Sequence, residues 1–531
     1  MTPFRRDVVW LTLLALAARV AAAWFVDYPP YTDAAYYLLT GDRLADGAGF
    51  TTPVLWSFLE VGGRLPADPV LPVPSHGHWM PMTSLVAAAG IWAFEGLLGT
   101  WRAAQLPFVL LSTALVPVTY LVSRELWPSR SVAIAAAVLA LLAGPFLVYY
   151  PQVNNIAVFG VAGAAALWCS VRSVRSPAGA GWWLVGAGVA AGLAGLTRVD
   201  GLLLLVAPLV AWWVRRPRVS PAWVGAALGA FALVMAPWWL RNLATFGSAF
   251  PSAGGHTLWI TTYNEQFSIS SDPSLDGYLA WGLPNIIGSK VAAWVEVAGR
   301  VTVLLGGIFV LPFAWGLWAE RRRAELAPFI AYVAIVYVAM GLVFTFHAPK
   351  GAFYHSAGAW LPFALPLAVA SLPGLATWLG RWWRFLARPA THRFLLVAGL
   401  VGALVLSAIG SAVVYGGWSV ADDRLSAAAA FLRVSADPGD RVMAYDPAAL
   451  HARVSMEGVA PPFEPFATVG EVVDAYDVRW VVVTLGPGES RDPLGLWDGA
   501  AATDATGAHP AFLAEQAAFA APGVRVYEVV R

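Results

Sequence analysis

Long apolar runs separated by short polar segments occupy the first 415 or so of the 531 residues. A helix needs about 20 consecutive apolar residues to cross a bilayer, and many of these runs reach that length. The first lies at about residues 8 to 26 and the last at about 394 to 415. The pattern predicts a polytopic α-helical membrane protein with roughly eleven spanning helices.

Arginines in the short loops set the direction of these helices. Loops rich in Arg or Lys stay cytoplasmic, so the pair Arg5 and Arg6 places the N-terminus inside. The later basic loops fall on the same side only if one of the two apolar stretches at 80–99 and 106–122 does not span, and we expect the stretch 80–99 to lie in the interface instead. Four polar segments then face outward, at 149–155, 196–201, about 241–290 and 346–355.

The composition changes near residue 418, where long apolar runs end and Asp, Glu and Pro become more frequent. We expect a transmembrane region at 1–417, with a first outer loop at 27–101, and a small extracytoplasmic α/β domain at 418–531. Three segments are typical of buried strands, and LSAAAAFLRV and VGEVVDAYD are typical of helices. The strand segments are RVMAYDP, RWVVVTL and VRVYEVV.

Composition excludes several classes of protein. The chain is 59% hydrophobic and 12% charged, with a mean hydropathy of +0.64, so it cannot cover a soluble globule with polar residues. A net charge of +1 argues against a nucleic-acid partner. The single cysteine, Cys169, supports neither a disulfide nor a metal cluster.

The segment TDAAYYLLTGDRLADGAGF at 32–50 follows the first apolar run and carries Asp33, Tyr36 and Tyr37. An acid placed where a helix leaves the bilayer predicts the start of a catalytic outer loop. In the alternative interpretation, Asp33 only caps an interfacial helix and the tyrosines lie at headgroup level.

Two outward segments concentrate charge. LTRVDG contains Arg198 and Asp200, and FHAPKGAFYH contains Lys350 and His355. Ionisable groups near the membrane are costly and indicate function, and cations at headgroup depth suit a phosphate. The alternatives are a mutual Arg198–Asp200 pair and an interfacial anchor.

Two further segments are open to more than one interpretation. PWWLRN brings Arg241 to an outer helix end, where it either binds the phosphate or anchors the helix with two tryptophans. SHGHWMP carries His76 and His78, but their spacing matches no metal motif. Contact of His78 with a substrate, or a plain loop without a ligand, is a stronger hypothesis than a metal site.

In their order along the chain these features resemble the polyprenyl-phosphate-dependent glycosyltransferases of the GT-C fold, the group of protein O-mannosyltransferases and aminoarabinose transferases. The resemblance covers about residues 8–375. It rests on the acid and aromatics of the first loop, His78 and Pro81 before a non-spanning helix, LTRVDG, PWWLRN and the late Lys and His segment. Two features depart from the family pattern: Ala34 stands where a second acid is frequent, and HWMPMT replaces a Pro-Pro-Leu element.

The resemblance implies that Asp33 is the general base and that Arg198 and Lys350 bind the donor phosphate, to which we add Arg241 and His355. Tyr36, Tyr37, His78 and Asp200 are predicted substrate contacts. The expected reaction moves a sugar, with inversion, from a polyprenyl-phosphate donor to a glycan, lipid or protein acceptor outside the plasma membrane. No cofactor is predicted, and a divalent metal remains open.

Two other classes of protein remain as alternatives. A transporter or flippase of a lipid-linked sugar would also bury ionisable groups, but the sequence has no evident repeat. A non-catalytic envelope scaffold would bind partners through the C-terminal domain.

Overall fold

The computed structural model describes residues 2–176, 178–216, 218–251, 257–271, 273–484, 513–515 and 523–530. Most of these residues are helical. The helices are α1 Pro3–Trp24, α2 Thr32–Ala45, α3 Met82–Leu98, α4 Thr100–Leu126, α5 Arg130–Leu142, α6 Phe146–Tyr149, α7 Asn155–Arg175, α8 Ala180–Thr197, α9 Val206–Arg215, α10 Ala222–Phe246, α11 Leu275–Ala280, α12 Leu283–Leu304, α13 Val310–Ala319, α14 Ala327–Leu342, α15 Phe353–Ala357, α16 Leu361–Leu379, α17 Pro389–Ser435, α18 Pro447–Val454 and α19 Phe466–Ala475.

Short helical turns of other types join several of these helices. The 3₁₀ turns are Phe58–Val61, Val199–Leu205, Tyr263–Phe267, Ala324–Leu326 and Arg384–Ala387, and Ala348–Ala352 is a π-helical turn.

Eight helices in the described residues are long and apolar enough to cross a membrane. Three shorter apolar helices, α3, α5 and α13, accompany them. The chain is therefore a multi-pass membrane protein, and the count of about eleven spans stays a prediction. The stretch expected to lie in the interface forms the 17-residue α3.

Glycines allow α8 and α10 to pack in close contact. A Cβ atom at Gly188 would lie 2.1 Å from the Ala227 carbonyl oxygen, and one at Gly192 would lie 2.7 Å from the Val234 Cβ. Small residues of this kind let the backbones of membrane helices approach each other. This contact holds α8, the helix that ends directly before Arg198, against α10.

The strands are β1 Thr51–Thr52, β2 Val54–Leu55, β3 Val73–Pro74, β4 Arg441–Ala444, β5 Gly458–Val459, β6 Val478–Thr484, β7 Leu513–Glu515 and β8 Val524–Val529. β1 pairs with β3 in the first loop. The other six form one sheet in the order β2-β5-β4-β6-β8-β7. Neighbours from β2 to β6 are parallel, and β6, β8 and β7 are antiparallel.

The three predicted C-terminal strand segments are confirmed as β4, β6 and β8, and VGEVVDAYD forms most of α19. One strand of the sheet comes from outside residues 418–531. β2 belongs to the first loop, and the Ala460 amide donates to the Leu55 carbonyl at 2.7 Å. The first loop and the C-terminal region therefore share one sheet. Residues 485–512 and 516–522 of the predicted domain lie outside the described residues.

The predicted boundary at 417/418 falls inside α17, which continues for 47 residues and includes LSAAAAFLRV. The sequence becomes more polar there, but the helix continues because no proline interrupts its backbone after the first turn. A change in composition therefore does not mark a break in this helix.

Candidate active site

A cavity of about 400 Å³ is bounded by the first loop, the turn after α8, α10 and residues 344–355. It contains polar groups from all four of these parts of the chain. Those with ionisable side chains are Asp33, Tyr37, His76, His78, Arg198, His347, Lys350 and His355, and Tyr263 joins them from the 3₁₀ turn Tyr263–Phe267. Part of the remaining wall is apolar and consists of Leu202, Phe231, Met235, Trp238, Trp239 and Phe250.

Helix α2 presents Asp33 at the cavity. Asp33 lies in the first turn, where the partial positive charge of the helix N-terminus favours a carboxylate. The six residues after it, 34–39, are buried and fix the helix. Tyr37 lies one turn further and also lines the cavity.

Tyr37, Asn155 and His355 form a hydrogen-bonded chain along the wall. The Asn155 amide donates to the Tyr37 hydroxyl at 3.2 Å, and its Oδ1 contacts His355 Nδ1. Because Oδ1 can only accept, Nδ1 donates and Nε2 is the acceptor of the neutral ring. Burial, helped by the charge of Arg198, lowers the pKa of His355 well below its usual value. His355 is therefore uncharged near pH 7, unlike the cation expected from the sequence.

A tight turn exposes Arg198 to the cavity. Helix α8 ends at Thr197, Arg198 has an extended backbone, and a 3₁₀ turn follows at Val199–Leu205. A Cβ at Gly201 would lie 2.4 Å from the Gly195 amide nitrogen, so this turn requires glycine. Because the chain turns directly after α8, Arg198 lies at the end of this helix and lines the cavity.

Arg198 also forms an ion pair. Its Nε lies 2.9 Å from Asp200 Oδ1, and the second oxygen of Asp200 accepts from Ser356. Asp200 is buried and is not part of the cavity wall. Asp200 was predicted to contact the substrate, but in the structure it contacts Arg198. The 3₁₀ turn at Val199–Leu205 directs its side chain toward Ser356.

Lys350 lies on an irregular helical turn in which Gly351 has a φ of 123°, a conformation that favours glycine. Its Nζ is 5.5 Å from the centre of the Tyr263 ring. Within the described residues Lys350 forms no ion pair. Its charge is available to a ligand of the cavity.

Two buried imidazole nitrogens on the wall, His78 Nδ1 and His347 Nε2, lack a hydrogen-bond partner among the described residues. Burial lowers the pKa of His78 to about 3 and that of His347 to about 4. Buried polar atoms of native proteins usually have a partner, so these neutral rings are suited to hydrogen-bond a polar ligand.

Tyr36 lies behind the wall, although a substrate contact was expected. Its hydroxyl donates to Glu60 and accepts from the His76 amide at 2.8 Å. The His76 ring bonds Ser75 at 2.8 Å and Ser84 at 2.9 Å. Tyr36 has no exposed surface because this network packs around it. It supports the loop that carries His76 and His78.

Arg241 is also behind the wall. Its guanidinium donates to the carbonyl oxygens of Ser75 at 2.8 Å and Phe50 at 3.3 Å. It also lies over the ring of Trp238, 4.8 Å from the centre. These contacts occupy the group that was expected to bind phosphate, and Arg241 anchors the first loop to α10.

Six of the nine predicted residues line this one cavity: Asp33, Tyr37, His78, Arg198, Lys350 and His355. Sequence reasoning missed Asn155 and Glu60 as parts of the site. Asn155 stands in the polar segment YYPQVNN, and Glu60 is an acid within the apolar stretch VLWSFLEV, so each carried a signal. In the described residues no group of three or more His, Cys, Asp and Glu is arranged to hold a metal ion.

The sequence matches no family model and no curated relative. Solved structures do match. ArnT from Cupriavidus metallidurans bound to undecaprenyl phosphate is 15% identical, with a TM-score of 0.55 over 98% of this chain and 97% of that one. The oligosaccharyltransferase AglB from Archaeoglobus fulgidus, in complex with an inhibitory peptide and a dolichol-phosphate, is 12% identical, with a TM-score of 0.51 over 91% of this chain and 69% of that one. The predicted resemblance is therefore confirmed for the architecture: the chain has the fold of the GT-C glycosyltransferases.

Proposed function

We propose that this protein is a membrane glycosyltransferase that moves a sugar from a polyprenyl-phosphate donor to an acceptor hydroxyl outside the plasma membrane. One observation carries the proposal: a single cavity contains an acid, two cations and an apolar wall. An apolar wall suits a polyprenyl chain, and the cations suit its phosphate. The likeness to ArnT and AglB supports the same reaction class. In this proposal the N-terminus is cytoplasmic.

The reaction has two electrostatic requirements. Asp33 takes the proton of the acceptor hydroxyl while that oxygen forms a bond to the anomeric carbon. The bond from this carbon to the phosphate oxygen breaks, and the departing polyprenyl phosphate gains one negative charge. Arg198 and Lys350 stabilise that charge where it develops. A single displacement of this kind inverts the anomeric centre.

The neutral histidines have a different role from the cations. His78 and His347 each keep one donor and one acceptor nitrogen, which suits hydroxyl groups of a sugar. His355 offers Nε2 as an acceptor and is held by Asn155. The two kinds of group thus separate recognition of the sugar from stabilisation of the phosphate.

The experiment measures transfer of radiolabelled sugar from polyprenyl-phosphate donors in membranes that contain the wild type, Asp33→Asn or Asp27→Asn. Loss of a general base lowers the rate by about 10²- to 10⁴-fold, and we expect this only for Asp33→Asn. Asp27 is an exposed acid at the start of the same loop and is the matched control. Equal transfer by the two variants would refute the role of Asp33, and absence of transfer by the wild type would refute the reaction.

The chain has only two lysines, and they provide a matched test of donor binding. Lys290 Nζ donates to Thr345 at 2.6 Å and does not line the cavity. We expect Lys350→Gln to weaken inhibition by undecaprenyl phosphate roughly 10- to 100-fold, since a hydrogen bond to a charged group is at stake. Lys290→Gln should leave it unchanged. The same inhibition constant in both variants would remove Lys350 from the phosphate site.

A further inference from the structure

A second cavity, of about 320 Å³, lies between residues 28–32, α17 and α18. It shares Thr32 with the cavity described above. Thr32 directly precedes Asp33, so both cavities reach the start of α2. Asp33 is therefore the next residue along the chain from the part of α2 that lines both cavities.

Aromatic rings form one part of the second cavity, which is lined by Tyr28, Tyr31, Trp418 and Tyr445. The centres of the Tyr31 and Trp418 rings are 5.5 Å apart, with an angle of 32° between the planes. Tyr28 lies under the Arg453 guanidinium, 5.8 Å from it. Aromatic faces are negatively polarised and attract the C–H groups of a sugar ring.

Carboxylates form another part. Asp446 accepts from the Thr32 hydroxyl at 2.7 Å and from the Ala449 amide at 3.0 Å, and Asp422 pairs with Arg453. Each carboxylate has about four acceptor positions, so both can still accept bonds from ligand hydroxyls. Aromatic faces beside such acceptors suit a ligand with apolar ring faces and many hydroxyls.

The charges of the two cavities differ in a way that separates their ligands. The second cavity has two acids, Asp422 and Asp446, and two arginines, Arg424 and Arg453, on its wall. These charges balance, so the cavity does not favour an anion as the cations of the first one do. A neutral, hydroxyl-rich molecule fits it better than a phosphate.

We propose that the second cavity is the binding subsite for a neutral glycan acceptor. The inference rests on the proposed function and names the acceptor class for it. A sugar bound against Tyr31 and Trp418 directs one hydroxyl past Thr32 to Asp33, which takes its proton as the bond to the donor sugar forms.

The test uses the full-length protein in detergent and two probes. One is a set of end-labelled neutral oligosaccharides released by mild acid from the envelope polysaccharide of the producing cells, and the other is a set of labelled envelope peptides. Asp422→Asn and Tyr28→Ala alter the cavity. Asp423→Asn removes an exposed acid one residue further along the same helix and is the control. Thermal unfolding verifies that all variants are folded.

We expect the two cavity variants to bind the oligosaccharides about 10- to 100-fold more weakly, since each loses contacts to the ligand. Inhibition by undecaprenyl phosphate should stay the same, and Asp423→Asn should match the wild type. Three results would each overturn the proposal: no oligosaccharide binding by the wild type, equal binding by all variants, or preference for the peptides.

The two proposals fail separately. If oligosaccharides bind as expected but no polyprenyl-phosphate donor is consumed, the glycan site stands and the proposed reaction is refuted. If donors are consumed but the oligosaccharides do not bind, the reaction stands and the glycan site is refuted.

Discussion

Replacement of Glu60 by Gln tests the buried network that supports the cavity wall. The carboxyl is 2% exposed and accepts a hydrogen bond from Tyr36. Burial raises its pKa from 4.5 to about 8, and contacts with Tyr36, Trp56 and the His76 backbone and the charge of Arg241 oppose this rise only in part. Glu60 is therefore mainly protonated near pH 7, and glutamine resembles that neutral form.

The sign of the pH dependence follows from these values. Between pH 4.5 and about 8 the folded state keeps a proton that the unfolded state releases. The stability that Glu60 contributes is complete below pH 4.5 and decreases as the pH rises to about 8. A difference of one bound proton changes the free energy of unfolding by about 1.4 kcal/mol per pH unit. The stabilisation from Glu60 therefore decreases by about 3 kcal/mol between about pH 5 and about pH 7.5.

The assay compares thermal unfolding of wild type and Glu60→Gln in detergent across this pH range. The difference in free energy between them should change by about 3 kcal/mol in favour of the variant as the pH rises. Other titrating groups cancel in this difference. Glu95→Gln makes the same chemical change at an exposed acid and is the control. A difference that is constant with pH would mean that Glu60 is ionised in the folded protein.

Three further substitutions test the fold and the site, each by thermal unfolding. Arg198→Met leaves Asp200 buried without its ion pair and should lower the free energy of unfolding by about 3 to 5 kcal/mol. Adding Asp200→Asn should restore the stability but not the sugar transfer. A double variant that stays as unstable as Arg198→Met would contradict the pairing. Gly188→Ala forces α8 away from α10 and should lower the free energy of unfolding by about 1 to 3 kcal/mol. At the control position, Gly229, an added Cβ meets no atom within 4 Å, so Gly229→Ala should be neutral or stabilising. Equal effects of the two substitutions would refute the close contact. Tyr36→Phe removes a buried donor and acceptor and should cost about 1 to 3 kcal/mol, with a smaller loss counting against the network.

The sequence by itself determined the membrane character of the chain and the type of its C-terminal elements. Both depend on the periodicity and length of apolar runs, which are local properties. It also indicated Asp33, Arg198 and Lys350, because charged groups beside apolar helices are costly and stand out in a sequence of this composition.

Tertiary structure decided which of these groups share a cavity. Asp33 and His355 are more than three hundred positions apart, and only the packing of several helices brings them to one wall. It also decided the direction in which polar side chains point. Tyr36, Asp200 and Arg241 belong to the predicted segments, yet none of them lines the cavity and each contacts protein groups instead. Which side of a turn or helix meets a cavity depends on distant neighbours, and local sequence does not contain that information.

Tertiary structure likewise decided the charge of His355, His78 and His347. A histidine in an outer loop is expected to titrate near its usual pKa, but burial among other groups keeps these rings neutral. The extent of burial is a property of the assembled fold. The strand at Val54–Leu55 also depends on the assembled fold. Two residues of sequence are too few to predict a strand, and this one forms because it pairs with β5.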